Sequence, residues 1–148
     1  MGFKIRYVKT YTADECRKAP NDIFVFGDNT VGKGKAPGAG QAVIRDEPNA
    51  FGVPTKVAPS NAASSFFSDK EEEIELVKSR LRELFKLGRQ GKTLVFPEEG
   101  IGTGRAKMAE KSPKAFALMM DILENHFGVE FKKKPKRSTS SPSDSMEP

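Results

Sequence analysis

Two short apolar runs, residues 23–26 and 93–96, each lead directly into a glycine-rich loop. Runs of this length, rich in β-branched and aromatic side chains and apolar on both faces, are the mark of strands buried inside a parallel sheet. The first run is bounded by Asn21-Asp22 and by Gly27-Asp28-Asn29. The second ends in Pro97-Glu98-Glu99-Gly100-Ile101-Gly102-Thr103-Gly104. Between and around them lie segments of different period. Residues 3–8 alternate and suit a half-buried or edge strand. A helical turn or loop follows through Asp14, Cys16 and Pro20. Residues 51–57, interrupted by Pro54, read as strand at their two ends, and residues 129–131 read as the last strand.

Helical period is clearest over 68–88, where Ile74, Val77, Leu81, Leu84 and Phe85 share one face. Ser68 and Glu71 suggest a capping box, and Gly88 a C-terminal stop. A second helix takes Ser112 as its cap, Pro113 at its first position, and Phe116, Met119, Met120, Leu123 and Phe127 as its buried stripe before Gly128. Strands alternating with helices predict an α/β fold, a mixed or parallel sheet covered on both faces. Ligands of such sheets collect at the carboxyl ends of the strands, where both glycine loops fall.

The chain of 148 residues suits one domain. We expect it to span 1–131, because 132–148 turns abruptly to Lys, Pro, Ser and Thr, too poor in apolar groups to repay ordering; that segment reads as a disordered basic tail. The tail also carries +3 of the net charge of +5, leaving too little on the body to argue for a nucleic-acid groove; weak, salt-sensitive nucleic-acid contact through the tail is the alternative. No stretch is apolar enough to cross a bilayer and no signal core follows the N-terminus, so the expectation is a cytoplasmic protein without a membrane partner. Cys16 and His126 are the only residues of their kinds, which leaves no internal disulfide and no cysteine metal cluster; the reading calls for no metal and no cofactor. His126 reads as a helix-end residue facing the helix dipole rather than a triad member.

A loop that holds phosphate needs converging backbone N–H groups, close approach, and ideally a helix start behind it. Gly38-Ala39-Gly40, followed by Gln41 to open a short helix over 41–45, meets that description, and so does Gly100-Ile101-Gly102-Thr103-Gly104 behind its strand. Either could also be a plain flexible connection. Neither is a Walker motif, and the spacing of Gly34, Gly38 and Gly40 is wrong for the dinucleotide fingerprint. Glu98 and Glu99 read either as acid–base groups or as a solvated turn.

With these residues in order, residues 3–131 resemble a macrodomain, the ADP-ribose-binding fold, a three-layer α/β/α architecture with a mixed, largely parallel sheet. The layout is most similar to the subgroup that includes the terminal ADP-ribose protein glycohydrolase and the DNA-ADP-ribose antitoxins, and to short stand-alone bacterial and phage proteins. The resemblance implies that Gly38, Ala39, Gly40 and Gln41, together with Gly100, Ile101, Gly102, Thr103 and Gly104, enclose the diphosphate and distal ribose, with Asp28 and Asn29 beside them. It implies that Lys56 matches the lysine that attacks the distal ribose; a plain strand-end surface lysine is the alternative. Two positions depart from the pattern. The acid of that subgroup falls at Ala106, and the adenine-reading aspartate falls near Thr10 and Tyr11, with Asp14 the nearest carboxylate. Asp28, Glu98 or Glu99 would have to substitute as acid or base. The function thus stands as binding of ADP-ribose or a related nucleotide. The alternatives are an ADP-ribosyl glycohydrolase acting on an ADP-ribosylated macromolecule with Lys56 as nucleophile, and a nucleic-acid accessory protein using its tail.

Overall fold

The computed structural model describes residues 2–31, 40–58, 62–103 and 106–131, so Gly38, Ala39, Gly104 and the tail expected to be disordered lie outside the described residues. Four strands, β1 (Lys4–Val8), β2 (Asp22–Asn29), β3 (Ala50–Lys56) and β4 (Thr93–Pro97), form one sheet in the order β1-β4-β2-β3. Every pairing among them is parallel. Among the described residues no antiparallel strand joins this sheet, because each connection between its strands passes through a helical segment and none is a hairpin.

Alternation along the central strands explains the layers. Phe24 and Phe26 of β2 and Val95 of β4 point to one face, where they meet Tyr11, Cys16 of helix α1 (Ala13–Lys18), and Ala42 and Ile44 of a 3₁₀ turn, Gly40–Ile44. Val25, Val53, Leu94 and Phe96 point to the other face, against α2 (Glu71–Arg89), α3 (Met108–Lys111) and α4 (Pro113–Ile122). Helices therefore cover both faces, and both central strands are apolar on both sides.

Several local expectations are corrected by tertiary contacts. Residues 13–18 are helical and not merely a turn, because the Thr12 hydroxyl accepts from the Glu15 amide at 3.2 Å and caps them. Strand β3 runs unbroken through Pro54, since it lies at the sheet edge, where a missing N–H is tolerated. The short helix expected over 41–45 is a five-residue 3₁₀ turn. The segment 129–131 is not a strand: the Glu130 amide donates to the Tyr7 hydroxyl at 2.7 Å instead of to a backbone ladder, the Val129 amide donates back to the Leu123 carbonyl at 2.9 Å, and Phe131 is buried edge-on against Phe96. The second long helix gives way after Ile122 to a π turn, Leu123–Phe127, that ends at Gly128 with φ +79°. His126 is exposed in that turn.

Two carboxylates near the start of α2 cap both long helices. Glu73, not Glu71, folds back over the start of α2, accepting from the amides of Ser68 at 2.8 Å and Lys70 at 3.1 Å. Asp69 stands in the left-handed region at φ 66° and turns its carboxylate to α4, taking the amides of Lys114 at 3.1 Å and Ala115 at 2.9 Å. Ser112, expected to cap α4, is fully buried, and its hydroxyl makes no hydrogen bond among the described residues. Asp69→Ala should destabilise the protein by about 1 to 2 kcal/mol, the usual size of a lost cap. Asp69→Asn, which keeps an acceptor and tolerates the left-handed backbone, should lose less. Urea denaturation of the two variants measures the difference, and equal losses would reassign the effect to backbone strain.

Candidate functional site

The sheet opens at its carboxyl end. Strands β2 and β4 pair only from Asp22 and Thr93 to Phe24 and Val95, yet β2 continues to Asn29. Where they part, the buried Tyr11 hydroxyl divides its one proton between the carbonyls of Val25 at 2.6 Å and Val95 at 2.9 Å. Burial, with Cys16 adding to it, pushes this phenol far above its ordinary range, so it stays a donor. Burial likewise raises the neighbouring Cys16 thiol to about 11. Beyond the hydroxyl, the next residue of β2 on the helix-rich face is Gly27. A side chain there would come within 3.3 Å of Ile101 Cγ2 and 3.4 Å of Thr55 Oγ1, so the backbone itself lines the opening.

Gln41 spans that opening. Its Oε1 accepts from the Gly27 amide at 2.9 Å, while its Nε2 donates to the Gly100 carbonyl at 2.8 Å and to Glu99 Oε2 at 3.2 Å. One side chain thus ties the ends of β2 and β4 to the 3₁₀ turn. Its amide is engaged on both sides, which makes it a brace of the crevice.

The loop after β4 is anchored from below. Gly100 and Gly102 adopt φ +98° and +80°, values that favour glycine. Ile101 is fully buried in the core, and a Cβ on Gly102 would lie 2.5 Å from Met108 Sδ. Thr103 Oγ1 donates back to the Glu99 carbonyl at 3.2 Å. The Ile101 side chain belongs to the core, and Gly102 is shaped by packing as much as by any ligand.

Asp28 and Asn29 stand at the carboxyl end of β2. Asp28 Oδ1 accepts from the Asn29 amide at 2.7 Å and pairs with the Arg45 guanidinium, which also lies over the Phe26 ring at 5.8 Å. That oxygen is thereby committed. Lys56, at the end of β3, is only 7% exposed, so it is not a surface lysine. Its Nζ lies 4.5 Å from the centre of the Phe66 ring. Ala106 is buried and brings no proton carrier, and Asp14 is exposed on α1 and pairs with Lys18 at 3.2 Å.

Asp28, Asn29, Gln41, Lys56, Gly100, Ile101, Gly102 and Thr103 therefore lie on or beside the carboxyl edge, with Gly40 next to Gln41 in the chain. Sequence reading missed Tyr11 as the clamp between strands, Arg45 as the partner of Asp28, and the Phe66 ring, which Lys56 and Lys111 both approach. A Gln one residue past a glycine run and an Arg four residues later were visible. Nothing local links 56 to 66 and 111. Among the described residues, no group of His, Cys, Asp and Glu could hold a metal ion, and no helix is long and apolar enough to cross a membrane.

One family model, described as a family of unknown function (DUF7831), matches residues 6–122. No curated protein and no solved structure matches the chain.

Proposed function

Since the chain belongs to that family, whose description assigns no activity, its function has to be argued from its own site, and we propose a macrodomain-like module that binds ADP-ribose or a related diphosphate-bearing nucleotide. The observation that carries this reading is the parting of β2 and β4, with the turn at Gly40 and the loop at Gly100 drawn onto the gap by Gln41. Adjacent parallel strands whose connections leave toward opposite faces make such a crevice, and it is the usual ligand site of open α/β sheets. Glycine at 27 and 40 leaves the backbone beside the gap without side chains, the condition for a phosphate to approach it closely. Lys56 supplies a cation one strand away.

Hydrolysis with Lys56 as nucleophile is the second reading, favoured by the burial of that amine at a strand end. Against it stand Ala106, which cannot protonate a leaving group, and Asp28 Oδ1, already taken by Arg45 and Asn29. Calorimetric titration with ADP-ribose, NAD and a short DNA duplex tests the proposal. ADP-ribose should bind best, and Lys56→Ala should weaken it by about 1 to 2 kcal/mol, the scale of one charge-assisted contact. No heat with ADP-ribose would end the binding reading, and preference for DNA, lost on removing 132–148, would favour the tail. Release of ADP-ribose from a modified protein or DNA by the wild type but not by Lys56→Ala would make the protein an enzyme.

A further inference from the structure

We propose that the outer edge of β1 is a docking site for an extended acidic peptide, which joins the sheet there as a further strand. The Glu98 amide donates to the Val8 carbonyl at 3.0 Å, so Lys4, Arg6 and Val8 turn their backbone groups toward β4. Those of Ile5 and Tyr7 alternate with them and point away from the sheet. Among the described residues no hydrogen bond takes these outward N–H and C=O groups. Glu130 binds the Tyr7 hydroxyl and not its backbone, so the segment 129–131 passes beside the edge without pairing with it.

The opposite edge of the sheet is closed. On that side the Phe24 amide donates to the Asn49 carbonyl at 2.8 Å, which by the same alternation leaves Gly52 and Pro54 of β3 facing outward. Arg80 Nε donates to the Gly52 carbonyl at 3.1 Å, with its guanidinium 4.0 Å from the centre of the Phe51 ring. Pro54 has no N–H to offer. Beyond it Phe66 bridges Lys56 in antiparallel fashion, and the Val57 amide donates to the Ser65 carbonyl at 2.8 Å. A bare strand edge is a template for pairing with another chain, and proteins block it where pairing is unwanted. Among the described residues β1 carries none of these blocks, only charge.

That charge selects the occupant. Lys4 and Arg6 are exposed on one face of β1, while Ile5 and Tyr7 lie half-buried against the helix-rich side. Arg6 pairs with Asp22 at 2.8 Å, and Lys4 forms no ion pair among the described residues. A second copy laid antiparallel about Ile5 or Arg6 would set Lys4 against Arg6, or Arg6 against itself, and like charges directly opposite destabilise a sheet. Residues 132–137 hold five basic residues and a proline, so they carry the wrong sign as well. A strand alternating carboxylates with apolar side chains suits both faces of β1, its carboxylates meeting Lys4 and Arg6 and its apolar groups covering Ile5 and Tyr7. Main-chain hydrogen bonds to the bare edge supply the rest of the affinity.

This edge is separate from the crevice between β2 and β4, so peptide docking does not depend on nucleotide binding. A short capped peptide alternating glutamate with valine, titrated into the isotope-labelled full chain, is the direct test. The Ile5 and Tyr7 amides should shift saturably and gain protection from hydrogen exchange, since each acquires a carbonyl partner. Methylating every backbone nitrogen of the peptide should abolish the shifts, and lysine in place of glutamate should weaken binding at least about tenfold. Lys4→Glu changes an exposed side chain, so it should melt with the wild type while binding the glutamate peptide roughly fivefold more weakly. Unshifted Ile5 and Tyr7 amides, or undiminished affinity with the lysine peptide or in Lys4→Glu, would overturn the proposal. So would protection of the same amides without peptide: if it grows with protein concentration the edge belongs to a second copy, and if it does not, to another segment of this chain.

Discussion

Gly102→Ala should cost about 2 to 4 kcal/mol of stability, adding the strain of a left-handed alanine to overpacking of the core. The backbone at Gly102 has φ +80°, and the new methyl would fall 2.5 Å from Met108 Sδ and 3.3 Å from Met119 Cε. Methionine adapts more readily than most side chains, but both of these are fully buried and packed against the same cluster as Ile101 and Phe96. Relief of the clash must repack the Met108 and Met119 side chains or displace α3, whose first amide is bonded to the Gly102 carbonyl. Urea denaturation followed by circular dichroism measures the loss; a change below about 1 kcal/mol would mean that the loop moves freely over its helix.

Gly40→Glu should reduce ADP-ribose affinity by at least about a hundredfold, because a carboxylate some 4 Å from a phosphate costs 1 to 4 kcal/mol before any steric exclusion is counted. Residue 40 opens the 3₁₀ turn and precedes Gln41, whose side chain joins Gly27 to Gly100 across the gap. Glu99, which accepts from Gln41 Nε2 at 3.2 Å, already gives the rim a negative charge, and a second carboxylate adds to it. Calorimetry reports the affinity and a thermal melt verifies the fold. Wild-type affinity in a folded Gly40→Glu protein would remove residue 40 from the binding site and leave Gln41 with a purely structural role.

The α/β class was legible because its signals are local. The runs at 23–26 and 93–96 became β2 and β4, the 3.6-residue period of Val77, Leu81 and Leu84 became the buried face of α2, and Gly128 ended the last helical turn. Caps were less legible. Ser68 and Ser112 satisfy the usual rule for a helix start, yet Glu73, at the third position of α2, caps that helix, and Asp69 reaches the first amides of α4 from a segment that no local pattern names.

The residues at the sheet edge divide the same way. Glycine runs following apolar strands are enough, by chain order alone, to bring residues 27–29 and 100–103 to the carboxyl ends of neighbouring parallel strands. What those residues do once there depends on contacts between segments far apart in the chain. Tyr11 holds β2 and β4 apart from 14 and 84 positions away, and Gln41 reaches 59 positions to Gly100. Burial of Lys56 at 7% and its contact with the Phe66 ring, neither legible in the sequence, remove the reading of it as a surface lysine. Periodicity and composition follow from backbone geometry and solvent, which act on each segment separately, so the sequence by itself determined the elements and the end of the sheet where the glycine loops gather. Which side chains are spent as braces was decided only by the tertiary structure, because hydrogen bonds and ring contacts need partners that chain order does not name.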